Sequence, residues 1–320
     1  MNATEFFDVT VDTIVQEADG VLSLALSHPM DRALPSWEPG AHLDVLLPTG
    51  TLRQYSLCST PGSASWRIAV LREHAGRGGS AFIHDELRPG TKVQVREPRN
   101  NFPLAPAPEY LFIAGGIGIT PILPMLRQAT DAGRPWRLLY LGRSRKSMPF
   151  LEELSVYGDR VHIHASDESG RFALPDLLGQ PDATVHLYAC GPGPLLAAIG
   201  LLTAGWDDPS RSHFERFAAD PAETARTALG EKRNSAFTLE LADGTEVPVA
   251  GDCSALEALE EAGVPVVSSC REGICGTCET PVLAGDIDHR DSLLSDAEKA
   301  RMDTMMICVS RGRGRLTLGI

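Results

Sequence analysis

Three cysteines within one short stretch, Cys270, Cys275 and Cys278, constrain this chain more than any other feature of it. They fall in Ser268-Ser-Cys-Arg-Glu-Gly-Ile-Cys-Gly-Thr-Cys278, a C-x4-C-x2-C spacing, and Cys308 follows well downstream. That is the ligand spacing of a plant-type [2Fe–2S] cluster. One short loop must wrap a small cluster, present several thiolates and aim backbone N–H groups at sulfur. Gly273 and Gly276 suit such a loop, because they reach φ > 0 and let the backbone come close. Cys308 is expected to arrive from a separate strand and close the site. Zinc fits poorly, since its sites usually pair short-spaced motifs, whereas here a triplet with an x4 gap precedes a lone cysteine. Disulfides are not expected, because nothing marks the chain as secreted.

A chain of 320 residues exceeds one ordinary core and implies two or three domains. With 43% hydrophobic and 22% charged residues, its composition is that of a soluble globular protein. No apolar run approaches the roughly 18 residues of a membrane span. The N-terminus, Met1-Asn-Ala-Thr-Glu-Phe-Phe-Asp8, has no basic segment ahead of an apolar one, so no signal peptide is read and a cytoplasmic location is expected. A net charge of −13 argues against nucleic acid or an anionic membrane as partner. From Ser235 to Ile320 there are 15 acidic and 7 basic residues. Such an acidic face either steers a protein partner or is plain solvated surface. The cysteines outside the cluster motif are Cys58, Cys190 and Cys253, the last read as a small helix-entry residue. There is no internal repeat or low-complexity tract.

The first hundred residues read as short strands: Phe6–Ile14, Val21–Leu26 after an Ala18-Asp-Gly20 turn, Ala41–Leu47, Leu52–Cys58, Trp66–Leu71 and Lys92–Val95. One helix, Ser80–Leu87, interrupts them. This rhythm predicts a small β-barrel. On the strand Arg53-Gln-Tyr-Ser56, alternation puts Arg53 and Tyr55 on one face and Gln54 and Ser56 on the other. An arginine beside an amphipathic aromatic can hold a phosphate and the face of a flat ring together. Gly76-Arg-Gly-Gly-Ser80 opens the helix and offers free N–H groups to an anion. Together these features look like a site for a phosphorylated flavin, although each alone is also an ordinary surface strand or turn.

Near Tyr110 the pattern changes to alternating strand and helix. Tyr110–Ala114 is an apolar strand, followed by Gly115-Gly-Ile-Gly-Ile-Thr-Pro121 and a helix through Met125 to Ala129. Further strands are expected at Arg137–Leu141, Arg160–Ala165 and Thr184–Ala189, which makes a parallel, doubly wound sheet. The last of these ends at Tyr188-Ala-Cys-Gly-Pro-Gly193, a second glycine turn, which enters a helix over Leu195–Leu202. Two such turns at one sheet edge favour a dinucleotide site, but neither is G-x-G-x-x-G. Arg211–Phe217 is expected to end the domain as a short strand. Ala218–Asn234 reads as a linker. Ser235 then begins the cluster domain, with a strand to Leu241, an Asp243-Gly244 turn and a helix near Ser254–Glu261.

Taken in order, Arg53-Gln-Tyr-Ser56, Gly76–Ser80, Gly115–Pro121, Cys190-Gly-Pro192 and the cysteine loop resemble the phthalate dioxygenase reductase family, over essentially the whole chain. The resemblance implies three modules: an antiparallel, flavin reductase-like FMN-binding β-barrel (1–105), an α/β doubly wound NAD(P)H-binding domain (106–225) and, beyond a linker (226–234), an α+β plant-type ferredoxin of β-grasp form (235–320). It implies an oxidoreductase passing electrons from NADH through FMN to the [2Fe–2S] cluster and on to a terminal Rieske-type oxygenase, a demethylase or dioxygenase of aromatic catabolism. Carried over by residue, Arg53 faces the FMN phosphate, Tyr55 the ring system, and Ser56 the same flavin. Gly78, Gly79 and Ser80 match the phosphate-binding helix entry. Gly116, Thr120, Cys190 and Gly191 form the nicotinamide side. Phe217 covers the flavin face, with Phe214 as its competitor, and Ser56, Cys190 and Phe217 are the expected catalytic set. NADH is expected over NADPH, although Arg143-Ser-Arg-Lys146 offers basic groups to a 2′-phosphate. Two rivals stay open: a reductase for a cytochrome P450 or another monooxygenase, and a ferredoxin-type shuttle that binds no nucleotide.

Overall fold

A computed structural model describes residues 5–73, 76–179, 184–218 and 234–320. The chain forms two compact units, Met1–Arg216 and Phe217–Ile320. The first contains a β-barrel and a parallel sheet. The barrel strands are β1 (Phe7–Ala18), β2 (Val21–Ser27), β3 (Ala41–Leu46), β4 (Leu52–Ser56), β5 (Trp66–Leu71), β6 (Lys92–Val95) and the two-residue β7 (Arg99–Asn100). Their order is β4-β3-β6-β1-β2-β5, with β7 added on β3, and a bridge from Leu57 to Ile68 brings the two ends together. Val9, Val11, Leu24, Leu43, Val45, Trp66 and Ile68 fill the interior. β1 runs four residues beyond the expected Ile14. Register shifts between Val11 and Thr13 and between Gln16 and Ala18 break the in-out alternation there while pairing continues. Helix α1 spans Gly79–Asp85.

The sheet strands are β8 (Glu109–Gly115), β9 (Trp136–Gly142), β10 (Val161–Ala165), β11 (Val185–Cys190) and β12 (Ser212–Glu215), all parallel, in the order β10-β9-β8-β11-β12. The order reverses between β8 and β11, and a crevice at such a switch point is where open α/β sheets bind ligands. Helix α2 (Ile119–Asp131) leaves β8 through a 3-10 turn at Gly116–Gly118. The helix Gly193–Thr203 leaves β11. Barrel and sheet share one core: Val21, Cys58 and Ala69 pack with Phe112, Ile119, Met125 and Tyr188. At the same junction, Arg67 and Arg127 both meet the Glu153 carboxylate and both donate to the Cys58 carbonyl.

In the second unit, β13 (Phe237–Glu240), β14 (Glu246–Val249), β15 (Glu279–Ala284), β17 (Thr304–Met306) and β19 (Arg315–Leu318) form a mixed sheet, β14-β13-β19-β15-β17, beside the small pair β16 (Ile287–Asp288) and β18 (Arg311–Gly312). β13 and β19 are parallel and the other pairs antiparallel. The helix Ala255–Glu261 starts at a capping box, in which Ser254 and Glu257 satisfy each other's backbone N–H groups. Its Leu256 and Leu259 join Phe237, Leu239, Val282 and Met305 in the core. The unit is therefore α+β, as the resemblance implies.

One expectation is corrected. Cys308 does not lie on a strand: β17 stops at Met306, and Cys308 sits in the turn after it. There the Met306 carbonyl accepts N–H bonds from Val309 (3.2 Å) and Ser310 (2.9 Å). A strand would present alternate residues to opposite faces, whereas this reversal brings one thiol back toward the loop. Of the expected linker 226–234, every residue but Asn234 lies outside the described residues.

Candidate functional site

In the second unit Cys275, Cys278 and Cys308 are buried and Cys270 is half-buried. The Cys270 thiol faces those of Cys275 and Cys308, and the Cys278 thiol faces that of Cys308. Hydrogen bonds from Cys275 and then Cys308 pull Cys270 far below an ordinary thiol, while the bond with Cys270 pushes Cys275 and Cys308 up. Among the described residues, no three His, Cys, Asp or Glu groups gather around a single point. The thiols face one another in series, Cys275–Cys270–Cys308–Cys278, and supply the four sulfur donors a [2Fe–2S] cluster takes. Backbone amides complete the cradle. The Glu272 N–H lies 3.3 Å from Cys270 Sγ, and the amides of Ile274 and Thr277 serve Cys270 and Cys275. Gly273 and Gly276 have φ of 69° and 72°, the left-handed backbone this tight wrapping needs. Cys253 stands apart, beside the helix cap.

On the barrel, β4 pairs with β3 so that Ser56 stands opposite His42, Tyr55 opposite Leu43, Gln54 opposite Asp44 and Arg53 opposite Val45. Ser56 is 5% exposed and His42 6%, and neither Ser56 Oγ nor His42 Nε2 has a hydrogen-bond partner. Buried polar atoms left unmatched cost about 1–3 kcal/mol each, so this pair carries a hydrogen-bonding capacity that the protein itself does not use. Burial and then the nearby Arg99 lower the His42 pKa to about 4, so the imidazole is neutral at neutral pH. Arg99, opposite His42 on β7, grips the buried Asp44 carboxylate at 2.9 and 3.0 Å, and Gln54 donates to it at 2.8 Å. Sequence reasoning missed His42, whose only signal was a histidine two residues before an aspartate in an apolar strand.

Arg53 lies across the start of α1. It donates to the Arg77 carbonyl at 3.0 Å, and a Cβ on Gly79 would come 2.7 Å from its Nε. A guanidinium and the amides of Gly78 and Gly79 therefore share one location. The Ser80 hydroxyl accepts from the Glu73 N–H at 3.0 Å, which ties down the approaching loop. Tyr55 is half-buried, and burial holds its phenol well above the usual range and thus protonated. A cation, an aromatic face and an orphaned hydroxyl on one strand fit a flat, phosphorylated ring.

At the sheet's switch point the two glycine turns are pressed together. A Cβ on Gly118 would lie 2.3 Å from the Cys190 carbonyl oxygen, and one on Gly191 would lie 2.9 Å from the Gly115 Cα. Gly116 differs: its φ is 55°, and nothing stands within 4 Å of where its Cβ would be. Thr120 is buried and donates its hydroxyl hydrogen to the Ile117 carbonyl at 3.0 Å, inside the turn. Cys190 ends β11 fully buried, with Glu215 of β12 as its register partner and Glu215 Oε2 3.9 Å from its Sγ. Burial raises Glu215 to about 8, and burial followed by Glu215 itself raises the Cys190 thiol. Both are protonated at neutral pH. Glu215 was not singled out from sequence, where it sits unmarked in Ser-His-Phe-Glu. Phe214 packs into the sheet core, whereas Phe217 is 44% exposed at the beginning of the second unit.

Residues 240–312 match the family model described as a 2Fe-2S iron-sulfur cluster binding domain. Phenoxybenzoate dioxygenase subunit beta of Ectopseudomonas oleovorans is 42% identical over 315 residues, 97% of this chain and 96% of that protein. The solved structure of phthalate dioxygenase reductase, described as a modular structure for electron transfer from pyridine nucleotides to [2Fe–2S], is 36% identical with a TM-score of 0.72, covering 98% of both chains. An intact type IV self-sufficient cytochrome P450 monooxygenase is 41% identical with a TM-score of 0.90; it covers 99% of this chain, which spans only 41% of that protein.

Proposed function

The chain belongs to the phthalate dioxygenase reductase family, the iron–sulfur reductase components of oxygenase systems, and from that premise we propose that it carries electrons from NADH through FMN and a [2Fe–2S] cluster to a terminal Rieske-type oxygenase, a demethylase or dioxygenase, in the cytoplasm. The observation that carries this reading is the presence, in one chain, of four facing thiols, a sheet switch point and a strand with an orphaned buried hydroxyl. When bound, a flavin accepts an electron pair from a nicotinamide and releases it one electron at a time to an iron–sulfur cluster.

The protein's own residues bind and orient. Arg53 and the amides of Gly78 and Gly79, with Ser80 fixing the loop, take the FMN phosphate. Tyr55 lies against one face of the ring; Phe217, which the resemblance assigns to the flavin, belongs to the second unit. Ser56 donates its free hydroxyl to the polar edge of the ring, and neutral His42 shields that edge without adding charge. Gly116 leaves room for the nicotinamide ribose. Cys190 and protonated Glu215 form an uncharged wall beside the nicotinamide, with Gly191 and Thr120 fixing the turns behind it. Glu168 engages Arg145 at 3.2 Å, so a 2′-phosphate near the basic turn would meet a carboxylate, which favours NADH. The modules are assigned to 1–105, 106–225 and 235–320, with the linker at 226–234.

A second reading, a haem monooxygenase as electron acceptor, is favoured by one observation, the 0.90 TM-score to the self-sufficient P450. The test is anaerobic titration of the purified protein with NADH, followed by reconstitution. Flavin bleaching, an EPR signal from a reduced cluster, FMN in an acid extract and turnover with a Rieske oxygenase are expected. Recovery of FAD would overturn the choice of flavin, and turnover with a P450 alone the choice of partner.

A further inference from the structure

A buried carboxylate beneath the cysteine loop has no part in the electron route above. Asp291 is 4% exposed, and its side chain is fully enclosed. It occupies the space a side chain on Gly273 would need: a Cβ there would meet Asp291 Cα at 3.1 Å, Asp291 Cβ at 3.3 Å and Val309 Cγ2 at 2.5 Å. Gly273 lies between Cys270 and Cys275, and Val309 follows Cys308. One small volume thus joins the two segments that carry the thiols.

The hydrogen bonds join the same segments. The Ser292 N–H donates to the Gly273 carbonyl at 3.1 Å. The Ser310 hydroxyl, two residues after Cys308, donates to Asp291 Oδ1 at 3.4 Å and accepts from the Arg290 N–H at 3.2 Å. Asp291 Oδ2 accepts from the N–H groups of Leu293 (3.2 Å) and Leu294 (2.8 Å). Lys299 Nζ stands 4.0 Å from Oδ2 and donates to the Asp291 carbonyl at 2.7 Å. His289 Nδ1 is 3.5 Å from Oδ1, and neither ring nitrogen has a hydrogen-bond partner. An asparagine could accept the same turn bonds through its amide oxygen without burying a charge. A charge is kept instead at a loop whose cofactor becomes more negative on reduction, and a nearby carboxylate opposes that added electron.

We propose that Asp291, acting with Ser310, is a positioning residue of the iron–sulfur centre: it pins the Cys308 turn to the three-cysteine loop, and its charge holds the reduction potential of the centre down. This rests on Cys270, Cys275, Cys278 and Cys308 being the cluster ligands. The test uses the full-length chain and three variants, Asp291→Asn, Ser310→Ala and Ser310→Thr. It reads iron content, the EPR signature of the reduced cluster, the midpoint potential, and the half-life of visible cluster absorbance in chelator. Asp291→Asn should shift the potential upward and alter the EPR anisotropy. Ser310→Ala should bleach severalfold faster than wild type, and Ser310→Thr, which keeps the hydroxyl, should restore the half-life. If Asp291→Asn takes up no iron, the two Ser310 variants decide. An unchanged potential and EPR signature in an iron-loaded Asp291→Asn protein, or a wild-type half-life in Ser310→Ala, overturns the proposal. A wild-type protein without iron would instead overturn the ligand assignment beneath it.

Discussion

The cysteine loop and the paired glycine turns of the parallel sheet are both tight and glycine-bearing, yet their residues are fixed for different reasons. In the loop, chemistry chooses: four thiols face one another, and amides of Glu272, Ile274 and Thr277 point at sulfur. In the sheet turns, packing chooses most of the glycines, since Gly118 lies against the Cys190 carbonyl and Gly191 against Gly115. A glycine motif therefore says first that two backbones touch. Gly116, by contrast, stands beside open space, and packing does not account for it.

The largest effect that can break this comparison is Cys278→Ser. Loss of one thiolate should abolish or cripple cluster assembly and bring cytochrome c reduction to background, while NADH oxidation with a two-electron acceptor and the flavin bands persist. Visible spectra and the two assays on one preparation check this. A variant that kept its cluster spectrum and lost flavin reduction would mean that packing, not chemistry, fixes the loop. Next is Gly118→Ala. A methyl 2.3 Å from the Cys190 carbonyl has only backbone to displace, so the cost should reach about 3 kcal/mol, the upper end for overpacking. Denaturant unfolding should show the barrel and sheet weakened together, because they share a core.

How legible each region was from sequence follows the same division. The cysteine spacing identified the cluster loop because few chemistries want C-x4-C-x2-C, and alternation on β4 correctly separated Arg53 and Tyr55 from Gln54 and Ser56. What stayed hidden was non-local. β7 and the β16–β18 pair are two residues long and carry no periodicity. His42, Glu215 and Asp291 gain meaning only from register partners or loops far off in the chain. Cys308 was expected to come from a strand; β17 does lead to it but ends at Met306, whose carbonyl accepts from Val309 and Ser310 in a reversal that no local pattern announces.

Glu215 yields a smaller, pH-dependent effect. Its pKa rises from an ordinary 4.5 to about 8 in the fold, so between those values the native state binds more protons than the unfolded chain. Stability therefore falls as pH climbs from about 4.5 to about 8 and levels off above that. Glu215→Gln, which cannot ionise, should remove this part of the slope. Urea midpoints of wild type and variant from pH 5 to 9 should lie closest at the acid end, diverge steadily up to about pH 8 and keep a constant separation above it, the variant being the more stable. Parallel curves would mean that Glu215 ionises normally beside Cys190.

The smallest effect sharpens the comparison most, because it separates a ligand glycine from a packing glycine within a single turn. Gly116→Ala meets no atom within 4 Å, so its only structural cost is the left-handed backbone at φ 55°, about 1 kcal/mol. Unfolding should accordingly shift little, in contrast to Gly118→Ala two residues away. If Gly116 borders the bound dinucleotide, however, the added methyl enters space the ligand needs. KM for NADH should then rise severalfold, while flavin content, cluster spectrum and kcat at saturating NADH stay near wild type. Steady-state kinetics beside a denaturant curve on the same protein distinguish the cases. A stability loss as large as that of Gly118→Ala would put Gly116 with the packing glycines, and an unchanged KM would remove it from the nucleotide site.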